Sequence, residues 1–119
     1  MPIPSRVQAS GNSGLATTSI CGDGATGLTA TGTTAADALQ LSAVWNTVAT
    51  TASGTGVKLP PTEAGAMVCV YNAGANTLAV YPATGSTINA GASSLNVTAT
   101  QRVLFIATSA TTWASIAGA

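Results

Sequence analysis

The chain has 119 residues, 5% of them charged, with three cations against three anions and no histidine. A typical soluble domain carries about 25% charge. Zero net charge excludes the basic footprint of a nucleic-acid binder, and the lack of histidine excludes the usual catalytic triad.

The six charged residues are Arg6, Asp23, Asp37, Lys58, Glu63 and Arg102. Hydroxyls and amides must therefore keep the surface wet, and a neutral surface promotes association. Ala, Thr, Ser and Gly dominate, so large core formers are scarce and a lone subunit buries little area per residue. The expectation is one domain that works as an oligomer. Residues 1 to 6 lack the apolar stretch of a secretory signal, and no apolar run approaches the roughly 20 residues of a membrane helix. Synthesis in the cytosol and no membrane partner are expected. Cys69 reads as a small buried hydrophobe and Cys21 lies in a Gly-rich stretch; a bond between them is disfavoured.

Residues 1–32 carry little periodicity. Pro2 and Pro4, then glycines at 11, 14, 22, 24, 27 and 32, argue against a helix or a central strand. This segment reads as an extended arm, with 33–119 as the folded domain. Apolar residues spaced along the arm can dock in a partner's grooves; Pro2, Ile3, Pro4, Arg6, Val7, Leu15 and Ile20 are the candidates. Gly22-Asp-Gly24-Ala-Thr-Gly27 matches G-x-G-x-x-G, but the dinucleotide fingerprint needs a helix after it. Leu28-Thr-Ala-Thr-Gly32 is no helix, so a flexible connector is expected and no cofactor.

Thr34, with Asp37 three residues on, predicts one capped helical turn. Alternation then predicts strands near 39–44 and 46–51, a short strand at 57–59 closed by Pro60-Pro61, and the stretch 66–82. That stretch, Ala66-Met-Val-Cys-Val-Tyr-Asn-Ala-Gly-Ala-Asn-Thr-Leu-Ala-Val-Tyr-Pro82, is two alternating apolar runs around an Asn/Gly loop, which reads as a β-hairpin. Asn72, Gly74 and Asn76 are expected to supply positive φ there. Val68, Val70, Leu78 and Val80 are expected in the core. Met67, Cys69, Tyr71, Ala79 and Tyr81 then share the opposite face and suit a subunit contact, with Arg102 at its seam. Brief strands follow at 87–89 and 95–98, then a second hairpin over 102–116 joined at Ser109-Ala110. The sum is about eight short strands without an obvious repeat. The expected fold is all-β: a small antiparallel β-sandwich or barrel, jelly-roll-like.

Catalytic chemistry finds little support. Asp23, Asp37 and Glu63 each sit alone, where glycoside hydrolysis needs a carboxylate pair. Two cysteines without histidine make a poor zinc site. The Asn96-Val-Thr98 sequon lies in a predicted strand and reads as structural. Lys58 and Glu63 can pair across Pro60-Pro61, a contact of about 0–1 kcal/mol. Trp45, Trp113, Tyr71, Tyr81 and Phe105 are the aromatics; core packing or subunit contact is their commoner use, with a sugar-binding platform as the alternative.

Several phrases together resemble small virion proteins of tailed bacteriophages, of the head decoration (cement) or head-fibre kind. They are Thr31-Gly-Thr-Thr-Ala-Ala-Asp-Ala-Leu39, Thr50-Thr51, Gly54-Thr-Gly-Val-Lys-Leu-Pro60, Ala64-Gly65, Val70-Tyr-Asn-Ala-Gly-Ala-Asn-Thr-Leu-Ala-Val-Tyr-Pro82, Gly85 and Ile88-Asn89. The resemblance covers most of 24–117 and leaves residues 1–23 outside. It implies a non-enzymatic structural protein on the outer capsid surface, often a homotrimer, whose partner is the major capsid protein and which stiffens the shell. The alternative is a head- or tail-fibre module that contacts host-surface glycans.

Overall fold

The computed structural model describes residues 4–117. Two short helices come first, α1 (Pro4–Ala9) and α2 (Gly14–Cys21). Pro4 is tolerated in α1 because a first-turn N–H has no intrahelical acceptor. Ser13 caps α2: its Oγ accepts the Ala16 N–H at 3.1 Å and its carbonyl accepts the Thr17 N–H at 2.9 Å. Gly22, at φ +82°, turns the chain out of α2. The expected extended arm is thus corrected. Proline and glycine sit at the helix ends, where they start and stop helices, rather than inside them.

Ten strands follow among the described residues: β1 (Gly24–Thr29), β2 (Leu39–Gln40), β3 (Trp45–Thr50), β4 (Gly56–Lys58), β5 (Met67–Asn72), β6 (Leu78–Tyr81), β7 (Thr87–Ile88), β8 (Leu95–Val97), β9 (Arg102–Ala107) and β10 (Thr112–Ala117). The protein is all-β, with two sheets. One has the order β1-β3-β5-β9-β10-β7, the other β2-β4-β6-β8.

The chain alternates between the sheets from β1 to β6 and pairs in parallel within each. Gly24 lies beside Trp45, and Trp45 beside Cys69, in the first sheet; Leu39 lies beside Val57, and Val57 beside Val80, in the second. This is a solenoid-like winding with a coil of roughly 20 residues. The antiparallel sandwich or barrel is therefore corrected to parallel coils, and the coil is a repeat that composition hides. β9 then joins β5 antiparallel, β10 folds back on β9, and β8 runs antiparallel to β6. The expected hairpin over 102–116 is present.

The hairpin over 66–82 is not. β5 and β6 lie in different sheets, and residues 72–77 turn the corner between them. Alternation tells which face is buried, not which strand is the neighbour, and two strands facing each other across a core show the same pattern as two paired ones. The core assignment survives: Val68, Val70, Leu78 and Val80 are all buried. They meet Val48, Val57, Val97, Val103, Phe105 and Trp113 in one cluster, each worth about 1.5–3 kcal/mol when fully buried.

The corner is held by Asn72, fully buried at the end of β5. Its Nδ2 donates to the carbonyls of Asn76 (2.7 Å) and Val97 (3.0 Å). Its Oδ1 accepts from Thr51 Oγ1 (2.9 Å) and the Gly74 N–H (3.1 Å). Asn72 thus serves through its side chain, as a hub between coils, not through the backbone freedom expected of it. Positive φ among non-glycine residues falls instead at Asn89, Ala90 and Thr100.

Strand β1 covers most of the G-x-G-x-x-G stretch. The order is helix, Gly22, strand, the reverse of the dinucleotide fingerprint, and the expected flexible connector is a paired strand. Gly56 lies where β4 meets β6; a Cβ there would come within 2.7 Å of the Tyr81 ring and 2.8 Å of the Ala79 carbonyl oxygen.

Candidate interaction surface

The outward side chains of the first sheet fall into rows set by the strand register. One row runs Trp45, Cys69, Leu104, Ile116 across β3, β5, β9 and β10. The next holds Met67, Ile106 and Ala114, and a third Thr47, Tyr71 and Arg102. Trp45, Met67 and Ile116 are 39%, 49% and 58% exposed, which is high for side chains of their size. The inward neighbours on the same strands, among them Val48, Val68, Val70, Val103 and Phe105, are buried. The central part of this sheet is therefore apolar on both faces, although only one of them is covered by the second sheet.

Details fix the outer face. The Trp45 indole Nε1 donates to Thr47 Oγ1 at 2.8 Å, which holds the ring along its own strand. The Arg102 guanidinium lies 4.0 Å from the centroid of the Tyr71 ring, a cation–π contact of about 0.5–1 kcal/mol at an exposed site. Burial pushes the Cys69 thiol up, against the smaller pull of Arg102. A thiol held in its neutral form is a weak nucleophile, so Cys69 belongs to the surface's packing rather than to chemistry. Both cysteines are free.

The expected interface set divides. Met67, Cys69, Tyr71 and Arg102 come together on the first sheet. Ala79 and Tyr81 lie on β6 in the second sheet, where Tyr81 packs against Gly56 and its hydroxyl donates to the Thr33 carbonyl at 3.2 Å. Trp45, Leu104, Ile106 and Ile116 complete the surface, and sequence reasoning missed them as members of it. Their alternation was legible, but the row that joins them depends on register between strands distant in sequence.

Of the expected arm contacts, Pro2 and Ile3 lie outside the described residues, as do the side chains of Val7 and Ile20. Pro4 and Arg6 are exposed on α1, and Leu15 on α2 is 82% exposed. The aromatic platform is reduced, since Trp113 and Phe105 are fully buried.

A second feature is an open cleft of about 430 Å³ beside Lys58, Thr62, Thr84 and Ser86. Lys58 Nζ donates to Thr84 Oγ1 at 3.2 Å rather than reaching toward Glu63. The buried Trp113 indole donates to Thr62 Oγ1 at 3.0 Å, and Thr62 shares a 2.7 Å hydroxyl contact with Ser86. The cleft lining includes no carboxylate, thiol or imidazole, so it offers hydrogen bonds without a carboxylate, thiol or imidazole base. Among the described residues no cluster of three His, Cys, Asp or Glu side chains is placed to hold a metal ion, and no helix is long and apolar enough to cross a membrane.

Comparison with known protein families, with curated proteins and with solved structures finds no match.

Proposed function

We propose that this is a structural virion protein, a decoration or cement protein that binds the outer surface of a tailed-phage head as a homotrimer and stiffens the shell. The reading rests on the sequence resemblance across 24–117. The observation that carries it at the level of geometry is the apolar outer face of the first sheet, a surface made to be covered rather than to hold a substrate. The major capsid protein is the partner. No nucleic acid, membrane or cofactor enters the reading, and the role is mechanical rather than catalytic.

Residues 4–21 are the proposed capsid contact, now as a helical pair. Exposed Leu15 and Arg6 would meet a groove and a carboxylate on the shell. Several such segments per assembly would multiply a weak contact through avidity.

The test is co-sedimentation with expanded, undecorated heads, using the full chain and a version lacking residues 1–20. Binding by the full chain alone is the expected result and identifies the helical segment as the anchor. Binding by both versions moves the contact to the β body. Binding by neither rejects the decoration role, and a screen against host-surface glycans then tests the fibre alternative, in which exposed Trp45 is the stacking surface.

A further inference from the structure

We propose that the cleft beside Lys58 binds a small hydroxylated molecule through a singly charged oxyanion, a carboxylate or a sulfate ester. The winding builds this cleft. β2, β4 and β6 pair in parallel with Gln40, Lys58 and Tyr81 in one row, so the three strands end side by side. The chain leaves β4 through Pro61 and Thr62. It leaves β6 through the turn at 83–86, closed by the Ser86 N–H on the Ala83 carbonyl at 2.9 Å. These segments wall a space of about 430 Å³, a size within the roughly 300–1,000 Å³ of ligand pockets.

The direction of the hydrogen bonds selects the ligand. An ammonium and an indole N–H only donate. Thr84 Oγ1 accepts from Lys58 Nζ at 3.2 Å, so the Thr84 proton points away from Lys58, and the ammonium has further protons to give. Thr62 Oγ1 accepts from the Trp113 indole at 3.0 Å. When Thr62 passes its own proton to Ser86, 2.7 Å away, the Ser86 proton is left for the cleft. Carbonyls of the wall are meanwhile engaged: Gln40 Nε2 donates to those of Leu41 (3.0 Å) and Leu59 (3.2 Å). Lys58, Thr84 and Ser86 thus present protons, and protons receive the lone pairs of an oxyanion.

Charge agrees. Lys58 is the one ionised group of the lining, and no carboxylate lines the cleft beside it. One positive charge matches one negative charge on the ligand. The Trp113–Thr62–Ser86 chain starts from an indole that is 1% exposed and therefore fixed, and a bonded chain of this kind polarises toward an anion at its open end. An oxyanion fills only part of the space. Leu59, Pro61 and Ala83 line the rest together with the hydroxyls, a surface suited to a body that carries both hydroxyls and C–H faces. The capsid role does not enter this inference, and the cleft shares no residue with the apolar outer face, so each can fail without the other.

The experiment is an NMR titration of the isotope-labelled full chain with D-glucuronate, with a glucose sulfate ester and, as the uncharged control, with glucose. The expected result is saturable shifts of the Trp113 indole N–H and of the Lys58, Thr84 and Ser86 amides, with a Kd of about 1 mM for at least one of the two anions. Glucose is expected to bind about fivefold more weakly or not at all, the factor that one exposed ion pair supplies at its upper end. The tighter of the two anions names the group. Lys58→Gln is expected to weaken anion binding about fivefold and to leave glucose unaffected. Ser86→Ala, which removes the end of the chain from Trp113, is expected to weaken it by a similar factor of about five. A Trp113 indole resonance that is unshifted in the ligand-free Lys58→Gln variant shows that the cleft floor is intact. Glucose that binds as tightly as both anions overturns the proposal. So does the absence of saturable shifts at these residues up to about 50 mM ligand, and so does a Lys58→Gln variant with an intact floor that binds the anions as the wild type does.

Discussion

Asn72 and Asn46 are both buried asparagines, but they are not equally provided for. Asn72 meets four partners and ties β5 to the corner, to Thr51 and to the Val97 strand. Asn46 donates through Nδ2 to the carbonyls of Ala43 (2.8 Å) and Cys69 (3.3 Å), while its Oδ1 is buried with no partner. A buried acceptor left unpaired already costs about 1–3 kcal/mol in the native protein. Truncation removes that penalty together with the useful bonds. Asn72→Ala is therefore expected to destabilise by about 3 kcal/mol, and Asn46→Ala by about 1 kcal/mol or less. Urea unfolding of the two variants measures the difference, and equal losses would contradict it.

At the scale of the element, the turn at 33–38 shows how one carboxylate organises a loop. Asp37 Oδ1 accepts the N–H groups of Thr33 (3.1 Å) and Thr34 (2.9 Å) and the Thr34 hydroxyl (2.9 Å). The Thr34 backbone and hydroxyl bonds favour the charged form and hold the Asp37 carboxyl below its ordinary 3.8. A lowered folded-state value means that the stabilisation is present above the unfolded value and is lost as pH falls through the folded one. Asp37→Ala is thus expected to melt below the wild type at neutral pH, with the gap closing as pH drops below about 4. Melting curves at pH 7, 5 and 3 check this.

The capping residues of this turn were legible from the Thr34–Asp37 spacing, though Asp37 does the capping and the Thr34 hydroxyl donates to it. So were the strands around 46–51, 67–72 and 102–107, and the buried faces of β5 and β6, because period-two alternation is local. The helices at 4–9 and 14–21 were hidden by their flanking prolines and glycines, and β1 by its glycines. The neighbours of each strand were hidden for another reason. Parallel pairing joins residues about 20 positions apart through corners such as 72–77, and nothing local to a strand records it. The same holds for the interaction surface. Met67, Cys69 and Tyr71 were readable as one face of β5, whereas their union with Trp45 is a product of the winding, and with Leu104 and Ile116 of the antiparallel pairing of β9 to β5 and of β10 to β9.

For the whole molecule, the winding also separates two tasks. Coils from β1 to β6 build the two sheets step by step; antiparallel β8 ends the second, and antiparallel β9 and β10 with the edge strand β7, parallel to β10, end the first. Because each coil contacts mainly the one before and the one after, its energetics are those of a stack. Length then becomes a quantity that changes by whole turns. Inserting a second copy of residues 45–66, which carries one strand for each sheet and the connections between them, is expected to give a folded chain lengthened by about 4.8 Å, one strand spacing. Small-angle scattering would register the longer axis, and an unfolded product would show that the coils are not interchangeable. A protein built this way can be fitted to the span it must bridge by counting turns, while the strands that close it stay the same.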